Sequence, residues 1–165
     1  MEIDNLRKLY VEELKDLHSA ERQILQALPK MAKKASNPQL KAAFEQHLEV
    51  TRMQVERLDK IFERMGKKGT GKKCKAMEGL VEEGKEMMEE DMAPEVMDAA
   101  LIAAAQRVEH YEMAGYGTVR TYARVLGEDQ DAKLLQQTLD EEGEADKLLT
   151  KLAESSINVE AAAEV

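Results

Sequence analysis

A chain of 165 residues is one ordinary domain's worth, long enough to bury a real core. Its 24 Lys+Arg against 33 Asp+Glu leave a formal charge of −9, which argues against a nucleic-acid phosphate backbone as the main partner. Aromatics are only 4%, prolines number three, and the chain is rich in Ala, Leu, Glu, Lys and Met, so the expected class is all-α.

The first periodic segment runs from about Asp4 to Ala35, with Leu6, Leu9, Leu14, Leu17, Ile24, Leu28 and Met31 at amphipathic-helix spacing. Pro29 falls inside it and is expected to kink or loosen it. Ser36-Asn37-Pro38 reads as a stop and a restart, with Asn37 as N-cap and Pro38 in the first helical position. A second helix follows to about Met65, on Leu40, Phe44, Leu48, Val55, Leu58 and Phe62. So short a link makes the two helices antiparallel neighbours. Gly66 to Lys73 holds three glycines and four lysines and reads as a solvated loop, because no strand precedes it as a P-loop requires. A short Met-rich helix is expected over about Cys74 to Glu90. Pro94 opens a third long helix that stops at Gly127, and a fourth runs from about Gln130 to Glu154.

These elements make an up-down four-helix bundle over residues 1–154: two antiparallel hairpins joined by a long crossover carrying a short fifth helix. Residues 155–165, with Ala161-Ala162-Ala163, are expected to be a frayed or disordered tail. An ungapped offset of 91 residues pairs Glu21 with Glu112, Phe44 with Leu135, Gln46 with Gln137 and Leu58 with Leu149, which suggests a duplicated hairpin. The single Cys74 excludes an intrachain disulfide framework and any Cys-rich zinc or iron–sulfur site. The acidic start Met1-Glu2-Ile3-Asp4-Asn5 lacks a signal pattern, and no stretch approaches the roughly 18 apolar residues of a membrane span. A cytoplasmic protein without membrane or nucleic-acid partners is the expectation.

Phase counting at about 100° per residue then asks which polar side chains face the interior. Glu21 shares the first stripe, with His18 at its edge; Glu112 is central in the third helix, with Glu109 near the edge. In the fourth, Glu142 is centred and Asp146 lies one turn on; in the second, His47, Thr51 and Gln54 face inward while Glu49 and Glu56 point away. Carboxylates from three helices cannot share a core uncompensated, since desolvation costs several kcal/mol per ion. Protons or a metal must neutralise them, and carboxylates with imidazole suit iron or manganese, as in di-iron and di-manganese bundles. The candidate ligands are Glu21, His47, Glu109, Glu112, Glu142 and Asp146, with Glu112 and Glu142 between two cations.

Several strings carry a resemblance: Ala20-Glu21-Arg22-Gln23, Asp98 to Gln106, Val108-Glu109-His110-Tyr111-Glu112, Cys74 to Leu80 and Thr138-Leu139-Asp140-Glu141-Glu142. Together they resemble the YciE/YciF family of bacterial ferritin-like proteins over nearly the whole chain. The resemblance implies a ferritin-like fold, a homodimer and a link to stress responses. The Glu-x-x-His pairs of di-iron bundles are missing: Arg52 follows Glu49 at that spacing, and Ala145 follows Glu142. Two functions therefore compete: a di-metal protein handling Fe(II) and peroxide or oxygen, and a metal-free dimeric bundle with a decayed site and a non-catalytic stress role.

Overall fold

In the computed structural model, which describes residues 3–163, the first four helices start where a side chain caps the unpaired N–H groups or a proline leaves one fewer to satisfy. The Asn5 carboxamide accepts from Lys8 N and opens α1 (Leu6–Lys34). Asn37 accepts from Gln39 N and Leu40 N and opens α2 (Pro38–Arg64), with Pro38 in its first turn. Cys74 takes the same place before α3 (Lys75–Glu89), its sulfur accepting from Met77 N. Pro94 opens α4 (Pro94–Val125), which ends before Gly127, a residue at φ 75°. Next comes α5 (Asp129–Leu152), and a π-helical turn (Ala153–Ile157) leads into α6 (Asn158–Ala163). No strand occurs among the described residues.

The architecture is the expected up-down bundle. α1 and α2 form one hairpin, α4 and α5 the other, and α1 packs on α4 while α2 packs on α5. Asp98 at the start of α4 bonds to the backbone N–H groups of Ser36 and Asn37, and Arg64 at the end of α2 meets Asp131 at the start of α5. Residues 65–93, carrying α3, therefore cross the full length of the bundle. α3 lies against α1 and α4, with Met77 fully buried and Leu80, Val81 and Met88 packed on the core. Pro29 sits on the exposed face and α1 runs through it.

The tail differs from the sequence expectation. Ile157 is 1% exposed, in the same apolar cluster as Leu149, Leu152 and Ala153. The π turn carries that apolar row one residue further than an α-helix would, and both it and α6 lie on α4. Helix-forming alanines then extend the structure to Ala163; residues 164–165 of the expected tail lie outside the described residues.

The core comes in two apolar halves. One gathers Ile24, Leu28, Phe44, Leu101, Leu149 and Ile157 with α3; the other gathers Tyr10, Leu14, Leu58, Ile61, Val119 and Leu135. Between them lies a polar layer at the middle of all four long helices. The duplicated phase also holds in three dimensions: Glu21 and Glu112 are both fully buried, as are Phe44 and Leu135 to within 2%.

Candidate metal centre

His47 of α2, Glu109 and Glu112 of α4, and Glu142 of α5 each offer a ligand atom to the middle layer, and these atoms all lie within 4.8 Å of one another. Helical spacing produces this convergence. Glu109 and Glu112 are three residues apart on one face of α4, and Glu142 follows the inward row of Leu135 on α5. His47 Nε2 stands 3.2 Å from Glu109 Oε1 and 3.6 Å from Glu142 Oε2. Its side chain keeps 11% exposure, whereas that of Glu142 has none.

Glu21 of α1 lies beside this group. One of its oxygens accepts from the buried Tyr116 hydroxyl, and the charges of Glu142 and Glu141 act on it. Burial, then the Glu142 charge, pushes the Glu21 carboxyl up to about 8. Burial, again followed by the charge of Glu142, also holds Glu109 and Glu112 well above the usual carboxylate range. Tyr116 is pushed well up by burial and by Glu21, so it stays protonated and donates.

The orphaned atoms show what the layer lacks. Among the described residues, both oxygens of Glu112 and of Glu142, one each of Glu21 and Glu109, and His47 Nε2 are buried without a hydrogen-bond partner. Among the described residues, the one ion-pair partner of Glu109 and Glu142 is His47, and no Lys or Arg pairs with Glu109, Glu112 or Glu142. Buried carboxylates in that condition must be protonated or must meet a cation. Hard oxygen donors with one imidazole, all within reach of a common centre, fit a divalent first-row ion.

Four of the six sequence candidates thus converge, and a fifth, Glu21, adjoins them. Asp146 is turned elsewhere: its Oδ1 accepts from Gln106 Nε2 at 3.2 Å and lies 3.2 Å from His110 Nε2, at the solvent edge. One turn further along α5 than Glu142, its short side chain meets the outer side of α4 instead of the core. His18 is also buried but faces away, its Nε2 2.8 Å from Asp59 Oδ1. Glu49 and Arg52 are exposed and pair with each other, so that spacing lies outside the bundle; Thr51 and Gln54, both fully buried, hold the inward places on α2.

The structure adds partners that phase counting does not find. Arg57 makes a two-pronged pair with Glu141, 2.6 and 2.7 Å, and bonds to Thr138, while Gln54 Nε2 also reaches Glu141. This network seals the layer beside Glu142. Its only signal in sequence is that Glu141 and Glu142 are adjacent, which forces one of them to the edge of the stripe.

A bundle of two hairpins and a crossover, with inward carboxylates and one histidine in its middle layer, defines a class of helical carboxylate proteins. Residues 5–162 match the family described as Domain of unknown function (DUF892), and the chain belongs to that family. It is 47% identical over 162 residues to Protein YciF of Escherichia coli (strain K12), covering 98% of each chain. The crystal structure of that E. coli stress protein superposes with a TM-score of 0.91, covering 94% of this chain and 99% of the other. YcfI from Rhodopseudomonas palustris is 42% identical, with a TM-score of 0.87 over 90% of this chain and 95% of that one. A protein of Xanthomonas campestris, 22% identical with a TM-score of 0.75 and 94% coverage of each chain, shares the fold. The YciF likeness indicated by the sequence strings is thus confirmed.

Proposed function

We propose that this chain is a ferritin-like stress protein whose middle layer binds iron or manganese. The observation that carries the reading is the convergence of His47, Glu109, Glu112 and Glu142 on one point, their buried ligand atoms largely unpaired. These four hold the first ion. Glu21, which has one unpaired buried oxygen, would complete a second position together with Glu112 and Glu142. A metal bound there supplies one-electron redox chemistry towards peroxide or oxygen and so lowers free Fe(II). The chain's own part is to hold and shield. Tyr116 fixes Glu21 by donating to it, and Arg57 pairs with Glu141 and so offsets part of the charge that Glu141 turns on Glu21. The protein acts in the cytoplasm as a homodimer, as a stress protein like the E. coli relative.

Anaerobic titration with Fe(II) or Mn(II), followed by desalting and elemental analysis, tests the reading. Binding of one to two equivalents, lost in Glu112→Ala, is the expected result. A protein that retains no metal after such loading overturns it in favour of the metal-free bundle, the reading that the missing Glu-x-x-His pairs favour.

A further inference from the structure

Of the four converging residues, His47 alone is not fully buried. With Glu109 it forms part of the wall of a groove of about 880 Å³ between α2 and α5. Beside His47 that wall is built of short side chains, Ala43 and Val50 on α2 and Ala145 on α5, which leave the space between the two helices unfilled. Glu109 is 3% exposed, and its Oε2 is buried without a hydrogen-bond partner. An unpaired carboxylate oxygen, buried in the wall of a groove that reaches solvent, calls for a cation that arrives through the groove.

Charge along the groove points the same way. Five carboxylates line it, Glu109, Asp129, Asp140, Glu141 and Glu144, against two cations, Arg124 and Lys133. The cations stand at the far end, in the last turn of α4 and the second turn of α5. Lys133 precedes Glu142 by nine residues, or about 14 Å at 1.5 Å per residue. Beside the layer the charged lining groups are therefore carboxylates. Arg57 and Lys147, which pair with Glu141 and Glu144, are not part of the wall, and Asp140 accepts from the neutral Gln136 amide. A cleft lined by one sign of charge raises the local concentration of the opposite ion and the rate at which it arrives.

We infer that this groove is the route by which a divalent cation enters the layer, with His47 as its gate: the imidazole swings aside to admit the ion and returns to ligate it. The inference rests on the metal-centre reading and adds to it the path of loading and the step that limits it.

Stopped-flow mixing of chelator-treated protein with Co(II), whose ligand-field absorption reports ligation, tests the route. Ala145→Phe places a ring in the groove beside His47. It is expected to slow both uptake and chelator-driven release by about tenfold or more with Kd unchanged, because an obstacle on the path raises the barrier and alters neither end state. Asp140→Asn with Glu144→Gln is expected to slow uptake several-fold at low salt and to have no effect at about 0.5 M salt, where such steering is screened. Glu82→Gln with Glu83→Gln, the same change of charge on α3 across the bundle, is expected to leave the rate as it is. In metal-free protein, carbethoxylation of His47 is expected to slow in Ala145→Phe while that of the exposed His110 does not.

Unaltered uptake and unaltered His47 modification in Ala145→Phe overturn the inference and leave the metal-centre reading standing. Equal slowing by the α3 pair also overturns it, since the groove's own charge is then not what guides the ion. So does uptake that slows at higher protein concentration and is restored by Leu148→Asp, on a side chain 41% exposed at the groove, because a second copy then closes the mouth. A protein that takes up neither Co(II) nor Fe(II) nor Mn(II) at equilibrium overturns the metal-centre reading and the route together.

Discussion

Glu112 shows the conflict within the layer at its sharpest. Its two oxygens are buried and unpaired, and burial and the charges of Glu142 and Glu21 hold its carboxyl well above the usual carboxylate range. Glu112→Gln keeps the shape and removes the ionisable group. In metal-free protein this is expected to leave stability unchanged or raise it by about 1–2 kcal/mol in urea unfolding, as when buried ionic groups are replaced by neutral ones. The same group of residues sets a pH dependence. Glu21 is raised from 4.5 to about 8, so its folded form holds a proton that the unfolded chain has released. The contribution to stability is full below pH 4.5 and is lost as pH rises to about 8. Glu109 and Glu112 shift in the same direction and add to the loss. Metal-free protein is therefore expected to have a lower urea midpoint at pH 8.5 than at pH 5.5, and a flat or rising profile over that window would count against the buried carboxylates.

The helices are joined by contacts that local patterning does not announce. Asp98, nearly buried, accepts from Ser36 N and Asn37 N, each at 2.8 Å, and so ties the α1–α2 turn to the start of α4. Asp98→Ala leaves two backbone donors without that acceptor and is expected to cost about 2–3 kcal/mol, read as a lower urea midpoint with an unchanged slope. Close approach matters at Gly115, where an added Cβ would come within 2.7 Å of Leu17 Cδ2 across the α1–α4 contact. Gly115→Ala must displace that buried leucine, at about 1–3 kcal/mol by overpacking. The helices themselves were legible because their apolar rows, caps and stops are local: Asn37-Pro38 and Gly127 mark boundaries wherever they occur. The inward faces of Glu21, Glu112 and Glu142 were legible for the same reason. Asp146 was not, because phase gives an angle around one helix while its fate depends on Gln106 and His110 of another. Ile157 was missed because the π turn shifts the helical phase just before it, and Ser155-Ser156 hides the apolar row in sequence.

At the scale of the molecule, the polar layer cuts the core into two apolar halves joined by the four long helices. Without a cation the layer contributes little cohesion, since His47 is the sole basic member of the four-residue group and its carboxylates repel or hold protons. A cation bound by His47, Glu109, Glu112 and Glu142 links α2, α4 and α5 through the place where hydrophobic packing is interrupted. Because the unfolded chain scatters these ligands over almost a hundred residues, binding is coupled to the folded state and stabilises it by mass action. At a free metal concentration of about one hundred times Kd the gain is about 2.7 kcal/mol. For a chain of this size that corresponds to a rise in Tm of roughly 5–10 °C. Calorimetry with Mn(II) at pH 7 is expected to show this rise for the native chain and none for Glu112→Gln or Glu142→Gln. Mg(II), which dehydrates reluctantly and has little use for imidazole, is expected to give a smaller shift at equal concentration. Equal shifts for Mn(II), Mg(II) and the Gln variants would assign the stabilisation to screening of the surface charge, not to the layer between the two halves.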